Sequence, residues 1–72
     1  MKIISRYKDK HNRLLVIWKT RNEDLIGEVY DSGIMKRGKS DMRAIFYRKD
    51  NEATEYRVKE YFGFLGSYKE FV

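Results

Sequence analysis

The run Arg13-Leu14-Leu15-Val16-Ile17-Trp18-Lys19 limits the fold more than any other stretch of the chain. Its five consecutive apolar residues leave no polar face, so the element they form is covered on both sides. A strand and a turn of buried helix both meet that requirement. The shortness of the run and its β-branched content favour the strand. A chain of 72 residues suffices for one domain and not two, so residues 1–72 read as a single small domain. A domain near this size buries only about 60% of the surface its unfolded chain exposes, so a few large side chains must make the core. Six Tyr, four Phe and one Trp are available for it.

The remaining segments carry strand signals of the same kind, β-branched and aromatic residues between polar breaks. Residues 2–8 alternate loosely, with Ile3, Ser5 and Tyr7 expected on one face. Asp9-Lys10-His11-Asn12 and Thr20-Arg21-Asn22-Glu23-Asp24 are polar breaks. Leu25 to Tyr30 reads as a third strand, in which Gly27 marks a bulge or a close approach by another element. Asp31-Ser32-Gly33 ends it, and Ile34-Met35 precedes a basic loop, Lys36 to Asp41. Met42 to Arg48 reads as a fourth strand, Lys49 to Ala53 as a turn, and Thr54 to Phe62 as a fifth strand. Antiparallel pairing with Arg48 opposite Thr54 puts Phe46 opposite Tyr56 and Ala44 opposite Val58. On the other side it sets Arg43 opposite Lys59, Ile45 opposite Arg57 and Tyr47 opposite Glu55. The tail fits either a short helix capped by Ser67, with Glu70 completing a capping box, or a last strand from Tyr68 to Val72. The expected fold is all-β or a β-rich α+β: a small barrel or curved antiparallel sheet of five to six strands, with room for a short C-terminal helix.

Several function classes are disfavoured. There is no Cys, hence no disulfide and no thiolate metal site, and the only His, His11, sits in a polar turn. No cofactor or metal is expected. Lack of disulfide staples in so small a domain favours a reducing, cytoplasmic setting. The longest apolar run is far short of the ~20 residues that span a bilayer. Met1 to Arg6 breaks into charge at once, which is not the pattern of a signal peptide. Catalysis is not expected either. Acid–base and nucleophilic chemistry lean on His, Cys or an activated Ser, and a lone turn His is a poor candidate. Asp50, Glu52 and Glu55 cluster as metal-nuclease carboxylates do, but no acid is followed two residues later by Lys, and they read as turn polarity. The glycines match neither the P-loop nor the dinucleotide fingerprint.

Charge is distributed unevenly. The chain has a formal net charge of +5. Between Lys36 and Lys49 stand six bases and one acid, so this stretch holds the whole excess. Clustered Lys and Arg attract phosphates through counterion release, a two-stranded ribbon fits a major groove, and aromatics offer stacking surfaces. The hairpin expected over residues 42–61, entered through the basic loop, combines these features. The candidate nucleic-acid contacts are Lys36, Arg37 and Lys39 in the loop, with Arg43, Tyr47, Arg57 and Lys59 on one hairpin face. The bland alternative is a solvated basic surface, with Glu52, Glu55 and Glu60 offsetting part of the charge.

The segment from Gly33 to Asp50, followed by Gly63-Phe64 and Ser67-Tyr68-Lys69-Glu70, resembles the arm-type DNA-binding domains of tyrosine integrases and the related AP2 domains. The shared pattern is a basic Gly-containing turn, a strand, an acidic turn, a basic strand, then a Gly-Phe step into a helix. The resemblance implies a three-stranded sheet packed on a helix, with the sheet entering the major groove. It leaves residues 1–32 without a counterpart.

The function expected is therefore a small basic nucleic-acid-binding module, with DNA the expected ligand. The competing expectation is a phage- or plasmid-type protein-interaction module that inhibits or modulates a host enzyme or complex. Interfaces favour Tyr, Trp, Met and Arg, and Trp18, Tyr30, Met35 and Tyr61 would serve if exposed. A run 14–18 on a sheet edge would also invite a homodimer.

Overall fold

The computed structural model describes residues 1–47 and 51–70. The expectations for Arg48, Lys49 and Asp50, and for the last two residues of the tail, fall outside the described residues. Five strands and one helix follow in the order β1 (Lys2–Lys8), β2 (Leu14–Lys19), β3 (Leu25–Tyr30), β4 (Met42–Phe46), α1 (Glu52–Phe62) and β5 (Tyr68–Glu70). The strands form one antiparallel sheet in the order β4-β3-β2-β1-β5. The first four make a meander. The helix then crosses the sheet and returns the chain to β1, where β5 pairs Tyr68 with Lys8 and Glu70 with Arg6. This is the β-rich antiparallel sheet read from the sequence, open rather than closed, with β4 and β5 as its edges.

The middle strand is β2, and Leu14, Leu15, Val16 and Ile17 are all fully buried. The doubly apolar run is thus a strand covered on both faces. Leu15 and Ile17 join Tyr7, Leu25, Val29, Val58, Phe62 and Phe64 in the larger core, under the helix. Leu14 and Val16 join Tyr30 on the opposite face, where Ile3, Trp18 and Met35 pack against them. Because β2 is central, it offers no edge for self-pairing. Among the described residues, no helix is long and apolar enough to cross a membrane.

Two readings are corrected. Ile3 does not share a face with Ser5 and Tyr7. Ile3 pairs with Trp18 and Ser5 with Ile17, so Ile4 is an extra residue in a bulge, and the alternation changes phase there. Ser5 and Tyr7 face the helix, while Ile3 joins the smaller cluster.

The larger correction is the segment 54–62, which is helical rather than a fifth strand. Asn51 adopts extended backbone and its side chain accepts from the Thr54 N–H at 2.9 Å, an N-cap. Glu52 and Glu55 stand in the first turn and Lys59 in the last, matching the helix dipole. Gly63 follows at φ +76°, and the Gly63 and Phe64 N–H groups donate to the carbonyls of Glu60 and Lys59. Thr54, Val58 and Phe62, four residues apart, form the buried stripe. The hairpin 42–61 and its pairings (Phe46 with Tyr56, Arg43 with Lys59 and the rest) therefore do not form. The integrase-like order fails at the same point, because a helix stands where that pattern has its basic strand. The tail takes the strand alternative, not a helix from Ser67.

The helix sits close because of Gly27. This β3 residue faces Ile17 and Ala44 across the sheet. A Cβ built there would lie 2.5 Å from Phe62 Cε2 and 2.7 Å from Val58 Cγ1. The glycine expected to mark a bulge or close approach marks a close approach.

Candidate nucleic-acid interface

Residues 31–41 connect β3 to β4 and carry the basic loop. Its ends are tied together. The Asp41 N–H donates to the Val29 carbonyl at 2.8 Å, and Asp41 Oδ2 accepts from the Asp31 N–H at 2.8 Å. Met35 packs into the smaller core cluster and pins the middle. At the tip, the Lys39 N–H donates to the Lys36 carbonyl at 3.0 Å, with Gly38 at φ +70°. Arg37 does not have positive φ, so the turn has the type II form, whose third position needs a residue tolerant of the left-handed region. Lys36, Arg37 and Lys39 are exposed on this turn. Their backbone is held by the turn and base hydrogen bonds of the loop.

Arg43 lies on β4 directly opposite Glu28 on β3. Its Nε is 3.5 Å from Glu28 Oε2, and 53% of the side chain remains exposed. An ion pair this open holds Arg43 only weakly, and a phosphate can compete for it. Tyr47, just past β4, is 77% exposed.

The other two candidates lie elsewhere. Arg57 and Lys59 are on α1, which covers the opposite face of the sheet. Arg57 is exposed beside Phe46, Glu60 and Tyr61. Lys59 is half-buried, its Nζ 4.5 Å from the centre of the Tyr7 ring. The seven residues thus do not form one surface. Arg37 and Arg43 lie on the face away from the helix, with Lys36 and Lys39 exposed on the same turn as Arg37. Arg57 and Lys59 were assigned to that surface only through a hairpin that does not form.

The sequence reading missed Glu28, the residue that organises the face away from the helix. Its Oε1 accepts from Trp18 Nε1 at 2.6 Å and from the Tyr30 hydroxyl at 3.2 Å. Oε2 accepts from the Ser40 hydroxyl at 3.4 Å and faces Arg43. One carboxylate therefore links β2, β3, β4 and the end of the basic loop. Burial, then the charge of Glu28, pushes the Tyr30 phenol above its ordinary value. The signal was present: Glu28 is the one charged residue in Leu25–Tyr30, and a charge in an otherwise apolar strand needs partners.

On the helix side, Glu55 accepts from the Ser5 hydroxyl at 2.5 Å and from the Tyr7 hydroxyl at 3.3 Å. Ser5 is 1% exposed, so this contact ties α1 to β1 from within the core. Burial, then the Glu55 charge, raises the Tyr7 phenol. His11 stays exposed in its turn, where its N–H donates to Asp9 Oδ1. Among the described residues, no three His, Cys, Asp or Glu side chains gather as a metal site. Of the aromatic and Met residues considered for a protein interface, Tyr61 is exposed, Trp18 and Met35 are half-buried, and Tyr30 is buried.

No protein-family model matches the chain, and neither a curated protein nor a solved structure is significantly similar to it.

Proposed function

We propose that the chain is a nucleic-acid-binding module, DNA being the expected ligand, that engages phosphates through the turn Lys36–Lys39 and the adjoining strand β4. The observation that supports this is the tied basic loop. Three exposed cations stand on a turn whose base is closed by Asp41 and whose middle is pinned by Met35. Lys and Arg held in this way release condensed counterions from a nucleic acid, giving affinity that falls steeply with salt. Arg43 adds a fourth cation and Tyr47 an exposed ring. The sequence pI of about 9.6 fits the same reading.

The test is binding to a labelled single strand and a labelled duplex, titrated from about 50 to 200 mM salt, where several phosphate contacts change affinity by orders of magnitude. Micromolar or tighter binding is expected at the low end. Replacing Lys36, Arg37 and Lys39 together by Ala should flatten the slope of log K against log salt by roughly two to three. Absence of binding at low salt would sink the proposal.

One observation favours a second reading, a protein partner or a second copy adding to the sheet. The edge strand β4 exposes Met42 and Ile45, and Tyr47 and Tyr61 are exposed as well. Edge strands with apolar side chains invite such pairing. A concentration-dependent increase in sedimentation coefficient would support it.

A further inference from the structure

The face away from the helix holds a recess of about 450 Å³ lined by Met1, Trp18, Glu28, Tyr30, Arg37 and Gly38. That volume lies within the range of small-ligand sites. Its aromatic wall is fixed in place. Glu28 Oε1 receives both the indole N–H of Trp18 and the hydroxyl of Tyr30, while Oε2 is engaged by Ser40 and Arg43. With both oxygens occupied, Glu28 acts on the recess by setting the plane of the indole and not as a ligand. The basic turn contributes the rest. Arg37 lines the recess, and Gly38 leaves open space where a Cβ would stand. Lys36 and Lys39 are exposed on the same turn.

An indole and a guanidinium in one recess suit a flat, π-rich group, because bases stack both on aromatic rings and on Arg planes. Flanking ammonium groups suit the phosphates attached to it. A base inside the recess has left its stack and its pairing partner, a cost of about a few kcal/mol that is least for a base already in a single strand.

We infer that the recess takes one unpaired nucleobase of a single-stranded nucleic acid, stacked on Trp18 and covered by Arg37. This rests on the nucleic-acid reading and narrows it to a single strand.

Trp18 is the only tryptophan, so its emission reports on the recess alone when excited where tyrosine does not absorb. A short unlabelled oligothymidylate should quench that emission saturably, with the midpoint that anisotropy gives for the same strand carrying a dye. A duplex of equal length should quench it little. Trp18→Leu should weaken single-strand binding by roughly five- to a hundredfold, the loss typical of one stacked base. If that variant does not fold, Arg37→Ala, at an exposed position, serves in its place and should weaken the single strand more than Lys39→Ala does. Anisotropy showing binding while Trp18 emission stays constant would overturn the inference and leave the nucleic-acid reading intact. Equal quenching by duplex and single strand would overturn it too. No binding by anisotropy would instead remove the nucleic-acid reading itself.

Discussion

Gly27 and Phe62 meet so closely that a single added methyl group has no room: a Cβ on Gly27 would stand 2.5 Å from Cε2 of the Phe62 ring. The helix lies on the sheet at the one place where a strand lacks a side chain. Gly27→Ala is therefore an overpacking change and should destabilise the fold by about 1–3 kcal/mol. Each kcal/mol lost corresponds to a drop in Tm of roughly 4–8 °C for a domain of this size. Thermal unfolding followed by circular dichroism measures it. A variant as stable as the parent would mean that the helix does not seat at Gly27.

The helix start depends on Asn51, whose carboxamide oxygen accepts from both the N–H and the hydroxyl of Thr54. Asn51→Ala removes that acceptor and should cost about 0.5–2 kcal/mol, whereas Asn51→Asp keeps a good cap and should change little. Urea titration of the three proteins gives the order directly. Equal losses for Ala and Asp would argue that the cap contributes nothing.

Glu28 holds four groups on the face away from the helix, so its replacements should be graded. Glu28→Ala leaves the Trp18 indole N–H and the buried Tyr30 hydroxyl without their acceptor, at a cost of about 1–3 kcal/mol per group left unpaired. Glu28→Gln retains one carbonyl oxygen for Trp18 and Tyr30 and should fall between Ala and the parent. The Trp18 emission maximum should shift in the Ala variant, since the indole loses its fixed partner. Unchanged emission and stability would contradict the arrangement.

The β1–β2 turn confers a pH dependence. Burial opposes ionisation of Asp9, but the Arg13 backbone N–H and guanidinium and the His11 N–H outweigh it, so the carboxyl titrates below its ordinary value. The guanidinium contact is 2.7 Å. A carboxyl with a depressed folded pKa adds stability above its unfolded pKa of about 3.9 and loses it as pH falls through the lower folded value. Asp9→Asn should thus be less stable than the parent near neutral pH, with the gap closing below pH of about 4. Urea midpoints at neutral and acid pH test this, and a gap that stays constant would rule out Asp9 as its source.

The expected hairpin fails at a single segment. Segment 54–62 contains Thr, Tyr, Val, Tyr and Phe, residues common in strands, and their alternation resembled a half-buried β pattern. The same residues carry a helical stripe at 54, 58 and 62, bounded by Asn51 and Gly63. The end signals were the better guide, because a cap and a left-handed glycine have no role in the middle of a hairpin. That one misreading moved Arg57 and Lys59 onto the wrong surface. Lys36, Arg37 and Lys39 are exposed as a charged loop is expected to be, which needs no knowledge of pairing, whereas Arg43 stands on β4 opposite Glu28 and not opposite Lys59.

The elements legible in the chain are those whose physics is local. The doubly apolar run forms a strand covered on both faces, the glycine within a strand admits a neighbour, and the Gly-containing run of cations stands in solvent. The folded chain settles what meets across long separations. It set β5 beside β1, changed the phase of β1 at Ile4, brought Glu28 to Trp18, Tyr30, Ser40 and Arg43, and divided the cations between the two faces. Those contacts join residues that no local period relates, and they are chosen by which faces bury together.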